Sequence, residues 1–249
     1  MIDEYITLNQ ENIEQEHLCC AIADKKHQQG VEIKKAWLKQ RLNEGHVFRK
    51  LNAKAKVFIE YAPLEKAWVP IDGKDMLYIY CLWVAGSYKD KGYAKQLLNY
   101  CLMDAKKQGK QGVCVLSSSK KKPFLADKKF FEHHGFKVVD KVQDYELLVF
   151  SFNGDKPVIY PQAKLMQITQ QELTIYYGSQ CPYIHNCIQE ITDYCQRNHL
   201  ALNLVAIDDI NKAKSLPCIF NNWAVFYKGN FVTHHLLNAN SLQKILAKL

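Results

Sequence analysis

The chain has 249 residues, room for two ordinary domains or one large one, and its 48% hydrophobic and 23% charged residues are the proportions of a folded globular protein. No proline-rich, glycine-rich or repeated segment interrupts it, which excludes a disordered chain and a solenoid. The net charge of +8 is local: residues 88–122 hold nine lysines against two aspartates, a basic focus suited to nucleic acid, a membrane surface or a phosphate-bearing small molecule.

Met1-Ile2-Asp3-Glu4-Tyr5 is acidic and lacks the basic start and apolar run of a signal peptide, and no stretch reaches the length of a membrane span, so a cytoplasmic location is expected. The nine cysteines, spread from Cys19 to Cys218 without a CxxC pair, indicate neither a zinc site nor a disulfide framework, and reduced buried thiols are expected.

In chain order, Tyr5–Leu8 is strand-like and a helix capped by Asn9 is predicted to run to residue 22, with Ile13, His17, Cys20 and Ala21 on one face. A second helix is predicted over Val31–Asn43, where Ile33, Trp37, Leu38 and Leu42 recur at helical spacing and Glu44-Gly45 ends it. Three runs rich in β-formers follow as an antiparallel meander: His46–Leu51, Val57–Tyr61 extending toward Ile71, and Met76–Val84. Next come a helix over Tyr93–Gln108 with the apolar stripe Ala94, Leu97, Leu98, Cys101, Leu102 and Ala105, a buried strand at Val113–Leu116, a helix from Phe124 to His134 begun by Pro123 and stopped by Gly135, and two strands within 137–152.

Asn153-Gly154-Asp155-Lys156-Pro157 has turn chemistry, which divides the chain into domains at 1–155 and 156–249. Beyond it the order is a strand at Leu173–Tyr177, a helix at Tyr183–Asn198, a strand at Leu202–Ile207, a short helix, Pro217, strands at Ala224–Tyr227 and Phe231–His235, and a final helix. This is the order of a minimal thioredoxin fold. The expected class is therefore α/β throughout: a mixed sheet flanked by helices, followed by a smaller thioredoxin-like α/β domain.

Between Val84-Ala85-Gly86 and the Tyr93 helix lies Ser87-Tyr88-Lys89-Asp90-Lys91-Gly92. A strand that turns directly into a helix gathers free amide N–H groups at the positive helix end, and together with the nearby lysines this is a site for phosphate. Here the sequence resembles the GNAT acetyltransferase superfamily, whose loop runs Arg/Gln-x-x-Gly-x-Gly/Ala, against Lys89-Asp90-Lys91-Gly92-Tyr93-Ala94. The resemblance covers residues 1–152 and includes Phe130-Phe131-Glu132-His133-His134-Gly135-Phe136. The phrases Phe58-Ile59-Glu60-Tyr61, Cys81-Leu82-Trp83-Val84 and Lys120–Leu125, with the C-terminal domain, resemble the YoaP-type acetyltransferases.

The resemblance implies acetyl-CoA as cofactor, CoA as product, and a small-molecule amine as acceptor, in direct transfer. It implies cofactor contacts at Leu82, Trp83, Val84, Tyr88, Lys89, Asp90, Lys91, Gly92, Tyr93, Ala94, Lys95, Ser117, Ser118 and Phe130, with the 78–84 strand splayed from its parallel neighbour to hold the pantetheine arm. The family's proton-donating Tyr position is Phe131 here, which leaves Tyr93, Tyr88, a water, His133 or His134 as alternatives. For the base, Glu60 on the strand beside the cofactor strand comes first and Glu65 second, while Cys81 is expected to pack. The lysine cluster lacks the interleaved aromatics of a nucleic-acid surface, so no nucleic acid, membrane or metal partner is expected, and the oligomeric state, monomer or dimer, stays open.

In the C-terminal domain Gln180-Cys181-Pro182-Tyr183 occupies the place of a redox cysteine, but position 184 is Ile, so the usual second cysteine is missing. Leu216-Pro217 stands where the fold places a cis-proline. A binding or structural role and a monothiol redox role both remain, and a thiol oxidoreductase or thiol- and peptide-binding protein is the alternative function for the chain.

Overall fold

The computed structural model describes residues 5–248 apart from 19, 20, 23 and 155. They divide into two units: residues up to Ile22 with Leu38–Ala67 and Ile71–Tyr160, and Ala23–Trp37 with Trp68–Pro70 and Pro161–Leu249. Helix α1 (Gln28–Leu42) contributes its first ten residues to the second unit and its last five to the first.

The first unit is built on a seven-stranded sheet, and its elements in chain order are β1 (Tyr5–Thr7), β2 (Val47–Leu51), β3 (Val57–Pro63), the short β4 (Ile71–Asp72), β5 (Met76–Val84), helix α2 (Tyr93–Lys107), β6 (Gly112–Ser118), helix α3 (Lys128–His133), β7 (Lys137–Val142) and β8 (Tyr145–Ser151). The large sheet runs β1-β2-β3-β5-β6-β8-β7, and β5 with β6 is its parallel pair. β4 lies outside it, paired with β9 (Val158–Ile159). Because β3 is covered on both faces, its residues Val57–Ala62 are all buried. Val57, Ile59 and Tyr61 face α2, meeting Leu97, Leu98 and Cys101 in one apolar cluster, and the Tyr61 hydroxyl donates to Asp104 Oδ2 at 2.7 Å. Phe58 and Glu60 alternate with them and so face the other side.

In the second unit the chain continues through α4 (Pro161–Leu165), β10 (Leu173–Tyr177), α5 (Ile184–Arg197), β11 (Leu202–Ala206), α6 (Ile210–Lys214), β12 (Trp223–Tyr227), β13 (Asn230–Thr233) and α7 (Ala239–Leu246). Its sheet is ordered β11-β10-β12-β13, with β10 parallel to β11 and antiparallel to β12. One face packs Ile184, Ile191 and Cys195 of α5 and Leu242 of α7 against Leu173, Ile175, Trp223 and Val225. The β12–β13 turn uses Lys228 and Gly229, both at positive φ, as a two-residue hairpin requires.

Four expectations are corrected. The predicted helix over 9–22 is absent from its described part: residues 10–16 form turns, because Asn9 Oδ1 takes the amides of Glu11 and Asn12 while Asn12 bonds back to the Asn9 amide and the Thr7 carbonyl. Side chains that offer the backbone local partners compete with helix growth, although Ile13, Leu18 and Ala21 are still buried. Cys19, Cys20, Met1–Glu4 and Asp155 lie outside the described residues. The third strand stops at Pro63, and β4 is separate from it. The helix expected from Phe124 starts at Lys128, since Phe124 has φ +63° and the cap is Asp127, whose side chain accepts from the Phe130 amide. No cis peptide occurs among the described residues, so the Leu216–Pro217 bond is trans.

Candidate active site

β5 and β6 are the parallel pair on which the site is built. Among the described residues their register runs from Met76 with Gly112 to Ile79 with Val115. Beyond it β5 continues to Val84 beside β3, while β6 continues to Ser118 beside β8, so the two strands part inside the sheet. At the parting β5 carries a bulge: Glu60 pairs with Cys81 and Tyr61 with Ile79, leaving Tyr80 as the additional residue. The bulge shifts the alternation. Leu77 and Ile79 face α2, and so do Leu82 and Val84, one residue later than plain alternation would place them.

The strand leads through a single helical turn, Gly86–Tyr88, and through Asp90 at φ +60° to Gly92 at φ +83°. Gly92 is the N-cap of α2, and it makes no side-chain cap hydrogen bond. The Gln96 amide returns to the Gly92 carbonyl, and the amides before it stand at the positive end of a 15-residue helix. A Cβ built on Gly92 meets no described atom within 4 Å. The glycine is therefore required by its left-handed backbone and not by crowding from the protein. Lys89, Lys91 and Lys95 are exposed around it, and Tyr88 and Tyr93 stand edge to face at 5.8 Å, both against the α2 core.

These residues fit acetyl-CoA. Uncapped helix amides, a loop whose backbone can be approached and three exposed cations suit a diphosphate, and the β5 edge released from β6 suits an extended amide arm.

On the face away from α2, the register sets Phe48, Glu60 and Cys81 in one row and Lys50, Phe58 and Trp83 in the next, with Ala62 beside Tyr78 and His46 just ahead of Val47, the first residue of β2. Ala62 is small, so His46 reaches past it. Its Nε2 lies 3.1 Å from Glu60 Oε1, and its ring stacks on Tyr80 with centroids 5.1 Å apart. Phe48 stacks on Phe58 at 4.9 Å, and Lys50 pairs with Glu16 at 2.8 Å. Burial, with Lys50 beside it, holds the neighbouring His17 below the usual imidazole range. Trp83 is 46% exposed at the loop end of this face.

The predicted site residues are thus not all brought together. Glu60, Leu82, Trp83 and Val84, with the loop from Tyr88 to Lys95, stand on β3, on β5 beyond its parting and in the turn that follows. Glu65 does not join them. It follows Pro63, which pairs with Leu77, so it lies at the other end of β5, roughly 23 Å along the strand from Val84. There it is exposed, accepting from the Asp75 amide at 2.6 Å and facing Lys110 at 3.7 Å. Ser117 and Ser118 sit on β6 beyond the parting, buried, with their hydroxyls given to the Ala126 and Lys120 carbonyls.

Phe130 packs on the α2 core against the ring of His134, and Phe131 is buried among Phe130 and Phe136, an apolar position with no proton to give. His134 Nδ1 donates to the Phe130 carbonyl at 2.8 Å, which makes that ring a helix-end group, while His133 is exposed. Sequence reasoning missed His46 and Tyr80. Their only signal is a polar residue opening an apolar strand and an aromatic in a strand already rich in aromatics. Their meeting depends on the register and the bulge.

Residues 53–138 match the family described as Acetyltransferase (GNAT) domain, and residues 201–244 match the family described as YoaP-like. The chain is 40% identical over 248 residues to the uncharacterized N-acetyltransferase YoaP of Bacillus subtilis (strain 168), covering 98% of this chain and 99% of that one. Similar solved structures include the PaiA N-acetyltransferase of Thermoplasma acidophilum in complex with coenzyme A, 15% identical with a TM-score of 0.40 over 59% of this chain and 99% of that one. A GNAT family acetyltransferase of Brucella melitensis in complex with acetyl-CoA is 16% identical with a TM-score of 0.39 over 63% and 93%. The chain belongs to the YoaP-type N-acetyltransferases of the GNAT superfamily, acyltransferases that use acetyl-CoA.

Proposed function

We propose that this enzyme acetylates the amine of a small molecule by direct transfer in a ternary complex, with Glu60 taking the amine proton. The observation that carries this reading is the position of Glu60: it is opposite Cys81, where β5 bulges and leaves β6, and its side chain is 0% exposed. A carboxylate at that depth is reached by a slender amine more readily than by the surface of a folded protein. Bound acetyl-CoA supplies the activated acetyl group. The chain supplies the amides ahead of Gln96 and the lysines for the diphosphate, Leu82 and Val84 backbone for the arm, and a carboxylate fixed by His46 for the proton.

The second domain, from about residue 156, we read as a thioredoxin-like module. Its spatial order β11-β10-β12-β13 and the placement of Cys181 between β10 and α5 support that reading.

The test is acetyl transfer from acetyl-CoA to a panel of primary amines, followed by mass spectrometry, with the pH–rate profile compared between wild type and Glu60→Gln. Loss of the limb that rises with pH supports Glu60 as base. An unchanged profile removes Glu60, and absence of any acetylated amine overturns the small-molecule reading.

A further inference from the structure

We propose that the corner Gln180–Tyr183 is a docking surface whose ligand is the chain's own segment Asp24–Gly30, and that this contact, made through Pro182, Tyr183 and Asn186 beside the half-buried Cys181, screens that thiol and keeps it from redox use. Both segments belong to the second unit.

Three independent contacts join them. A Cβ added to Gly30 would lie 1.8 Å from the Pro182 carbonyl oxygen and 2.8 Å from its carbon. Asn186, on the first turn of α5, donates from Nδ2 to the Lys26 carbonyl at 2.9 Å. The His27 ring meets the Tyr183 ring edge to face with centroids 4.6 Å apart. Residues 26, 27 and 30 thereby face 186, 183 and 182, a match that lays one helical turn along the start of another.

Gly30 gives the contact its weight. It sits inside the first turns of α1, where glycine costs about 1 kcal/mol relative to alanine, and its φ is not positive. Nothing in the helix asks for it. The Pro182 carbonyl does, because any side chain would strike backbone that cannot swing away.

Both partners are preformed. Asp24 accepts from the Lys26 amide at 3.1 Å and lies 3.6 Å from His27 Nε2, which shapes the segment before α1 begins. Across from it Gln180 and Pro182 are buried, and Asn222 donates to the Gln180 side chain, which ties the corner to the start of β12. A thiol or extended peptide seeking this corner would have to displace a fitted turn of the same chain.

The experiment is pulsed alkylation of the full-length protein with iodoacetamide, each cysteine being read by peptide mass spectrometry. Native Cys181 is expected to react about tenfold more slowly than in the urea-unfolded chain, and Gly30→Val is expected to abolish most of that protection while Cys101 and Cys195 stay protected. Should Gly30→Val expose Cys195 as well, the double variant His27→Ala/Asn186→Ala removes a ring contact and a hydrogen bond without adding bulk, and is expected to free Cys181 alone. Native Cys181 reacting at the unfolded rate, or release variants that leave its rate unchanged, would overturn the inference. So would a rise in native melting temperature with reduced glutathione. Acetyl-CoA binding by the native protein is measured separately, so the failure of one reading does not touch the other.

Discussion

His46 Nε2 lies 3.1 Å from Glu60 Oε1, with 2% and 0% of the two side chains exposed. Withdrawing one member of a buried pair leaves the other desolvated. His46→Ala is expected to lower stability by about 3 kcal/mol in urea unfolding, with part of the loss recovered when Glu60→Gln is added. Additive losses would show that the two side chains do not act as a pair.

Gly92→Val forces a branched side chain into φ +83° and places its bulk before the α2 amides. CoA affinity measured by calorimetry is expected to fall about a hundredfold while the far-ultraviolet circular dichroism is kept. Equal affinity in the variant contradicts the backbone-amide cradle.

Lys89, Lys91 and Lys95 are exposed, so they act on an anion through solvent and are screened by salt. Replacing all three by Gln is expected to weaken CoA binding by roughly tenfold at low ionic strength and to flatten its salt dependence. A variant that keeps the native salt slope would assign the attraction elsewhere.

Burial, with Glu190 nearby, pushes the Cys187 thiol up to about 11, and burial pushes Cys218 up to about 12. Both values are raised above the ordinary 9.0, so the native state holds these protons longer than the unfolded chain does. Their contribution is complete below pH 9 and is lost as pH climbs toward 11 and then 12. The urea midpoint is expected to fall over that window, and to fall less in Cys187→Ala. A midpoint equally pH-dependent in the variant would clear Cys187 of the effect.

The Tyr61 hydroxyl is buried and donates to Asp104 on α2, and desolvation holds its pKa far above the usual phenol range. Tyr61→Phe is expected to cost about 1.5–3 kcal/mol in urea unfolding, as a bond to a charged acceptor does. A neutral outcome would mean that the ring alone joins strand to helix.

Most of the strands and the α2 loop are legible in the sequence because each depends on neighbours along the chain. Val57–Tyr61 is continuously apolar apart from Glu60, and the Gly92 turn stands at the head of an apolar stripe. What fails depends on partners elsewhere or on side chains competing for backbone. Asn9 looks like a helix cap but, with Asn12, closes a run of turns instead. Pro123 looks like a helix start, while the residue after it takes a left-handed φ and Asp127 caps the helix. Glu65 stands second to Glu60 in the sequence, five residues on, and only the strand direction carries it away from the parting to the start of β5. His46 was invisible as a site residue, since its meeting with Glu60 and Tyr80 crosses three strands.

The parting of β5 from β6 after Ile79 also has a colloidal meaning. A strand edge at the rim of a sheet is open to any other chain and invites aggregation, so proteins shorten, charge or cover it. Here the released edge from Tyr80 to Val84 lies between neighbours of the same sheet, and a foreign strand cannot slide in beside it without first dismantling β6 and β8. The strand-like recognition of a thin guest is thereby kept inside the sheet, away from its rim strands β1 and β7.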